Sequence, residues 1–167
     1  IAGNKTILFK YSNDIRYTRN GLASSHDGST LEATPVSSLL GQHINNDVKV
    51  IGIDEGQFIE GLVGFCDYHA NKGRTVIVSG LDANFKRDSF ARIINLIPKA
   101  EHVIKLHSVC VQCKDKQGTF SKRLGSSEVL EDIGGADKYI SVCRRCYIEP
   151  VQEECLEQYR TLLKTSI

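Results

Sequence analysis

The sequence predicts an α/β fold in which a parallel sheet is flanked by helices and followed by a small metal-clipped domain. Three observations carry that prediction. Short β-type runs recur at Thr6–Tyr11, Val48–Ile53, Arg74–Gly80 and His102–Leu106. Between the second, third and fourth runs, apolar residues fall at helical spacing, and strand-helix-strand alternation implies parallel strands joined by right-handed crossovers. The third observation is a repeated spacing, Cys110-Val111-Gln112-Cys113 and Cys143-Arg144-Arg145-Cys146.

The 167 residues suffice for one domain with a full core, or for one domain with a small appendage. An apolar content of 41% and a charged content of 25% describe an ordinary globular chain. A net charge of +1 argues against a broadly basic nucleic-acid surface. No apolar run approaches the ~20 residues of a membrane span, so a reduced cytoplasm is the expected setting. The chain opens on Ile1-Ala2-Gly3 and contains no Met, which leads us to expect sequence upstream of Ile1.

Taken in order, Thr6–Tyr11 is a strand punctuated by Ser12-Asn13-Asp14 as a turn. Leu31 to Leu40, with Pro35, is read as holding a short helix. Val48–Ile53 is nearly continuous in apolar residues, as a strand buried on both faces should be. Phe58, Leu62, Phe65, Cys66 and His69 then recur at helical spacing until Asn71-Lys72-Gly73 stops them. His69 lies in that stripe and reads as a packed histidine. Phe90, Ile93, Ile94 and Ile97 predict a second helix ending before Pro98, and Val151, Cys155, Tyr159 and Leu162/Leu163 predict a third after Glu149-Pro150.

Open α/β sheets collect ligands beyond the carboxyl ends of their strands. The second strand delivers Asp54-Glu55-Gly56-Gln57-Phe58 there. Adjacent carboxylates on an extended chain point to opposite sides, so one can serve Mg2+ and the other a hydroxyl proton. The alternative is that one of them caps the helix opening at Gln57. Asp14 and Arg16 follow the first strand and Phe85 follows the third, where a cation can meet phosphate and an aromatic can pack on a planar ligand.

Two C-x2-C pairs can set four thiolates at the corners of a tetrahedron about Zn2+. Disulfides would require an oxidising compartment, for which no apolar leader speaks. Cys66 and Cys155 stand outside the pattern as core or surface thiols. The loop from Lys114 to Val142 exceeds the ~15–20 residues common between such pairs, so it reads as a tethered flap. Ile133-Gly134-Gly135 offers bare backbone to a ligand, or a plain turn, with Tyr139 nearby.

Together these residues resemble one family, the type II, zinc-containing thymidine kinases of the cytosolic and poxviral kind. The resemblance runs through Lys10-Tyr11-Ser12-Asn13-Asp14, Arg16-Tyr17, His26-Asp27, Ile51 to Phe58, Thr75 to Val78, and Leu81-Asp82 with Phe85. It continues through Lys122-Arg123-Leu124-Gly125, Ile133 to Tyr139 and both cysteine pairs, covering about residues 5 to 150. It implies a P-loop-NTPase-like sheet with a zinc-binding lid domain: residues 1–107 for nucleotide binding, 108–148 for the zinc ribbon and lasso, and 149–167 as a helical tail.

The activity implied is transfer of the γ-phosphoryl of ATP to the 5′-hydroxyl of thymidine or deoxyuridine, giving dTMP or dUMP. Glu55 then corresponds to the general base. Asp54, Gln57, Asp14, Ile15 and Arg16 correspond to the Mg2+ and ATP side. Phe85 would stack on thymine, backbone from Leu130, Glu131, Asp132, Ile133 and Gly134 would read its edge, and Phe58, Ser121 and Tyr139 would lie beside it. Cys110, Cys113, Cys143 and Cys146 match the structural zinc ligands. The resemblance also implies a cytoplasmic homotetramer, feedback inhibition by dTTP, and no membrane or nucleic-acid partner.

Two departures stand out. The family opens with a strand and a G-x-x-x-x-G-K-[ST] phosphate loop, neither of which lies in these residues, so the chain as written is expected to hold donor phosphates poorly. Relatives often carry Tyr-Thr where this chain has Phe120-Ser121. Two other readings are a nucleoside-binding paralogue without turnover and a zinc-ribbon nucleic-acid module. Glu128, Glu131 and Asp132 count against the second.

Overall fold

The computed structural model describes residues 3–14, 22–24, 30–125 and 138–165. They divide into two compact units, one of residues 1–82 and 89–102 and the other of residues 83–88 and 103–167.

The first unit is built on a parallel sheet. Its elements are β1 (Lys5–Tyr11), β2 (Leu22–Ser24), β3 (Thr30–Glu32), β4 (Thr34–Val36), β5 (Val48–Asp54), α1 (Leu62–Asn71), β6 (Thr75–Val78) and α2 (Ala91–Ile94). The sheet order is β4-β1-β5-β6 with every pairing parallel, and β2 and β3 form a separate antiparallel pair. Central β5 buries Val48, Val50, Ile51 and Ile53, which is why its sequence is so evenly apolar. Phe9, Val36, Leu39, Ile44, Ile59, Leu62, Phe65 and Cys66 pack around it in the same core.

Helix α1 buries Leu62, Phe65, Cys66 and His69 on one face, as their spacing predicts, and stops where Gly73 turns to φ 78. Phe58, the first member of the expected stripe, falls instead in a separate 3-10 turn at Gly56–Phe58, because Gly61 at φ 75 breaks the run before Leu62. The Phe90–Ile97 stripe yields a shorter helix than expected. Only Ala91–Ile94 is α-helical, and Pro98, which has no N–H to give, falls in a 3-10 turn at Ile97–Lys99.

Two expectations are corrected. Leu31 to Leu40 holds no helix; β4 lies there as the fourth sheet strand, with Pro35 opposite Lys10 on the sheet edge, where a missing N–H costs no ladder bond. His102–Leu106 is not a strand: it has no ladder partner among the described residues, and Ile104 and Leu106 are 80% and 86% exposed. A β-branched run becomes a strand only where another edge accepts its hydrogen bonds.

The second unit comprises β7 (Ser108–Val109), β8 (Gln117–Gly118), β9 (Phe120–Arg123), β10 (Tyr139–Val142), α3 (Arg144–Ile148) and α4 (Glu153–Thr165). Antiparallel pairs β7-β8 and β9-β10 each bring a cysteine pair into reach of its fellows. Its core is Cys110, Val111, Ile140, Val142, Cys143, Cys146 and Leu156. Helix α4 begins at Glu153 rather than at Pro150, and among its described side chains the buried one is Leu156, with Cys155 half-buried and Leu162 exposed. Among the described residues, no helix is long and apolar enough to cross a membrane.

Candidate functional site

In the first unit, β5 ends on Asp54 and the chain turns sharply at Glu55, whose φ of 55° and ψ of 40° put a non-glycine residue in the left-handed region. Such strain is kept where the surroundings enforce it, often at working sites. Glu55 stands at the start of the 3-10 turn Gly56–Phe58, yet its side chain makes no capping hydrogen bond, so capping does not account for it. Its Oε2 instead accepts a 2.6 Å hydrogen bond from Nε2 of Gln57. Asp54 is held differently: the Ser79 hydroxyl, just beyond β6, donates to its Oδ1 at 2.7 Å.

Backbone bonds bind the two strand ends together, from Ser79 N to Ile53 O at 2.9 Å and from Gly56 N to Ser79 O at 3.0 Å. The carboxylates thus share one rigid edge and go separate ways. Asp14 closes a turn beyond β1 through its N–H to Tyr11 O. Phe58 lies between the rings of Tyr11 and Phe90, with centroids 5.2 and 5.6 Å away. Ile15 and Arg16 lie outside the described residues.

In the second unit, the four predicted cysteines come together, with their Sγ atoms all within 4.8 Å of one another. Cys113 and Cys143 Sγ are 3.9 Å apart, and a tetrahedron with Zn–S bonds of ~2.3 Å has edges of about 3.8 Å. Tight backbone turns create this spacing: Lys114 N donates to Cys110 O and Tyr147 N to Cys143 O, both at 2.9 Å.

The thiols do not share one tendency to ionise. The backbone N–H of Cys146 holds the Cys143 thiol below its ordinary value. Burial pushes Cys110 up, but the N–H groups of Cys113, Cys143 and Gln112 outweigh it and bring that thiol down. Cys146 is pushed up by burial and by the neighbouring sulfurs. Four sulfurs this close cannot all carry charge without a cation among them. The cluster could therefore hold a metal ion such as zinc. Cys66, by contrast, is pushed up to about 12 by burial alone and is an inert core thiol.

Beside this cluster the second unit carries an aromatic and cationic group. Phe85 and Tyr139 have ring centroids 6.3 Å apart. Arg123, opposite Tyr139 in the β9-β10 ladder, lies over both rings at 5.0 and 5.4 Å. The loop carrying Phe85 is fixed by Asn84, whose Oδ1 accepts the N–H groups of Lys86 and Asp88 at 2.8 and 3.0 Å. Arg87, at φ 69°, is held with its guanidinium 4.5 Å from the Tyr147 ring. Ser121 lies on β9 opposite Ser141. Leu130, Glu131, Asp132, Ile133 and Gly134 lie outside the described residues.

Ser79 and Tyr147 escaped the sequence reading. The run Arg74–Gly80 reads as one strand and hides Ser79 inside it, whereas β6 ends at Val78; nothing marks Tyr147 beyond its place after Cys146.

A family model described as thymidine kinase matches residues 1–147. The chain is 47% identical over 152 residues to the cytosolic thymidine kinase of Gallus gallus, covering 89% of this chain and 66% of that protein. It is 47% identical over 151 residues to the cytosolic thymidine kinase of Homo sapiens, covering 89% and 63%. With the thymidine kinase of Yaba monkey tumor virus, identity is 50% over 152 residues, covering 89% and 81%. The chain thus spans less than two thirds of the length of the two vertebrate relatives.

Proposed function

The chain belongs to the thymidine kinase family, and from that premise we propose that the protein carrying it transfers the γ-phosphoryl of ATP to the 5′-hydroxyl of thymidine or deoxyuridine. The observation that supports this reading most is the pair Asp54 and Glu55 at the carboxyl end of buried β5, each carboxylate held by its own hydrogen bond. Phosphoryl transfer asks a protein for positioning and charge, and little covalent chemistry.

In this reading Glu55 accepts the proton of the attacking hydroxyl. Asp54 is the carboxylate on the Mg2+ side, directly or through water; one hydrogen bond from Ser79 leaves it further lone pairs for a cation. Bound Mg2+ would neutralise charge on the phosphates. Gln57, Asp14, Ile15 and Arg16 belong to the ATP side. Phe85 stacks on the base, with Phe58, Ser121 and Tyr139 beside it, while Leu130 to Gly134 read its edge by main chain. A base held that way is recognised narrowly, because a mismatched edge leaves buried groups unpaired. Zn2+ on Cys110, Cys113, Cys143 and Cys146 is structural. Residues 1–107 form the nucleotide-binding part, 108–148 the zinc part with its lid, and 149–167 the tail. The assembly is a cytoplasmic homotetramer inhibited by dTTP.

The test is formation of dTMP from thymidine, ATP and Mg2+ by the full-length protein, followed by chromatography. Glu55→Gln should lower kcat by roughly 10²–10⁴ while thymidine still binds in calorimetry. Undiminished turnover in that variant sinks the role of Glu55, and a wild-type protein that binds thymidine without turnover points to a nucleoside-binding paralogue.

A further inference from the structure

We propose that Gln57 is a positioning residue that acts through Glu55; the inference rests on the reading of Glu55 as general base. Gln57 is 2% exposed, and a buried side-chain amide must find partners at both ends. Its Oε1 accepts the backbone N–H of Leu81 at 3.1 Å, and its Nε2 donates to Glu55 Oε2 at 2.6 Å. The orientation is unambiguous. A backbone N–H can only donate, so the amide oxygen must face Leu81, which turns the NH2 group toward an oxygen that can only accept.

The rest of the residue is equally fixed. Arg92 donates to the Gln57 carbonyl at 3.1 Å. Gly80 leaves the amide its room, since a Cβ there would stand 2.6 Å from Oε1 of Gln57. The amide therefore ties the left-handed Glu55, beyond β5, to the chain beyond β6. Engaging one carboxylate oxygen fixes the carboxylate plane and so the direction in which the other oxygen receives a proton. General-base catalysis depends steeply on that geometry. The amide keeps a second N–H and a second lone pair, but the two bonds in place set its position against Glu55.

The prediction separates kcat from KM in the full-length protein. Gln57→Leu should lower kcat by roughly tenfold or more while KM for ATP and for thymidine each stay within about threefold. If Gln57→Leu fails to fold, as thermal melting will report, Gln57→Asn makes the same comparison with an amide one methylene short of Glu55. A risen KM for ATP with kcat unchanged overturns the proposal, because it marks Gln57 as a nucleotide contact.

A double-mutant cycle separates positioning from simple scaffolding. Glu55→Asp withdraws the carboxylate from Gln57, so removing the amide in that background should cost less than about threefold in kcat. Equal losses in both backgrounds overturn the coupling while leaving Glu55 as the base. Full turnover in Glu55→Gln is a different result, and it overturns both readings.

Discussion

The hydroxyl of Tyr147 donates to the backbone carbonyl of Phe85 at 2.7 Å. Tyr147 directly follows Cys146 on α3, which Cys143 caps, so this bond joins the segment carrying the second cysteine pair to the loop that presents the proposed base-stacking ring. The same ring supports Arg87 and packs 5.9 Å from Phe120.

Tyr147→Phe keeps the ring and removes only the hydroxyl. The lost bond should cost about 1 kcal/mol of stability. We expect KM for thymidine to rise several-fold, with kcat and zinc content kept. Steady-state kinetics beside metal analysis check it, and an unchanged KM means that Phe85 is held without Tyr147.

Cys143→Ser tests the cluster. Cys143 lies 3.9 Å from Cys113, and its thiol is biased toward thiolate by the Cys146 N–H, so serine removes both the soft ligand and the charge. Zinc content should fall well below one per chain, and the melting temperature should drop, because metal binding free energy is folding free energy for such a unit. Lys122 adds to the dependence: its ammonium donates to the carbonyls of Cys146 and Glu149 at the end of α3. Normal thymidine affinity with the metal gone would refute the idea that the clip anchors the lid.

Much of this was legible in the sequence, for definite reasons. β1 and β5 announced themselves because a strand between neighbours buries apolar residues, β6 because Thr75-Val76-Ile77-Val78 is β-branched throughout although it ends the described sheet, and the cysteine spacing because a tetrahedral ion demands it. Asp54 and Glu55 were legible by position alone. β4 was hidden: three residues with a proline carry no periodicity, and only its edge position makes them a strand. The reverse failure was His102–Leu106, whose side chains suit a strand but whose backbone finds no partner among the described residues. The contacts that aim the candidate site, Ser79 to Asp54 and Tyr147 to Phe85, join residues 25 and 62 positions apart. No local pattern encodes them.

His69 gives a pH prediction. It is 4% exposed on α1, and its Nδ1 must accept the 2.9 Å hydrogen bond from Arg74, because a guanidinium can only donate. Burial, then the nearby charge of Arg74, lower its pKa below the usual 6.5. The unfolded chain therefore binds this proton more readily than the folded one. The contribution is fully present above about pH 6.5 and is lost as pH falls below it toward the folded value. Urea unfolding across that window should show a loss for wild type that is smaller in His69→Gln, whose amide oxygen accepts from Arg74 and does not titrate. Equal slopes in the two proteins refute this.

Ser79→Ala isolates the support of Asp54. The backbone bonds from Ser79 N to Ile53 O and from Gly56 N to Ser79 O survive the change, so the strand ends stay joined and what is lost is the hydroxyl, with its 2.7 Å bond to Oδ1 and its longer 3.4 Å bond to Ile53 O. A half-exposed carboxylate can recover that bond from water, which keeps the stability cost below about 1 kcal/mol. What water does not restore is direction. If Asp54 stands on the Mg2+ side, a carboxylate freed to rotate holds the cation less well. The Mg2+ concentration for half-maximal activity should then rise several-fold while KM for thymidine is unchanged. Titrating Mg2+ at fixed ATP reads this directly. A shift in thymidine KM with Mg2+ dependence intact would instead place Asp54 on the nucleoside side, and the division of labour between the two carboxylates would have to be reversed.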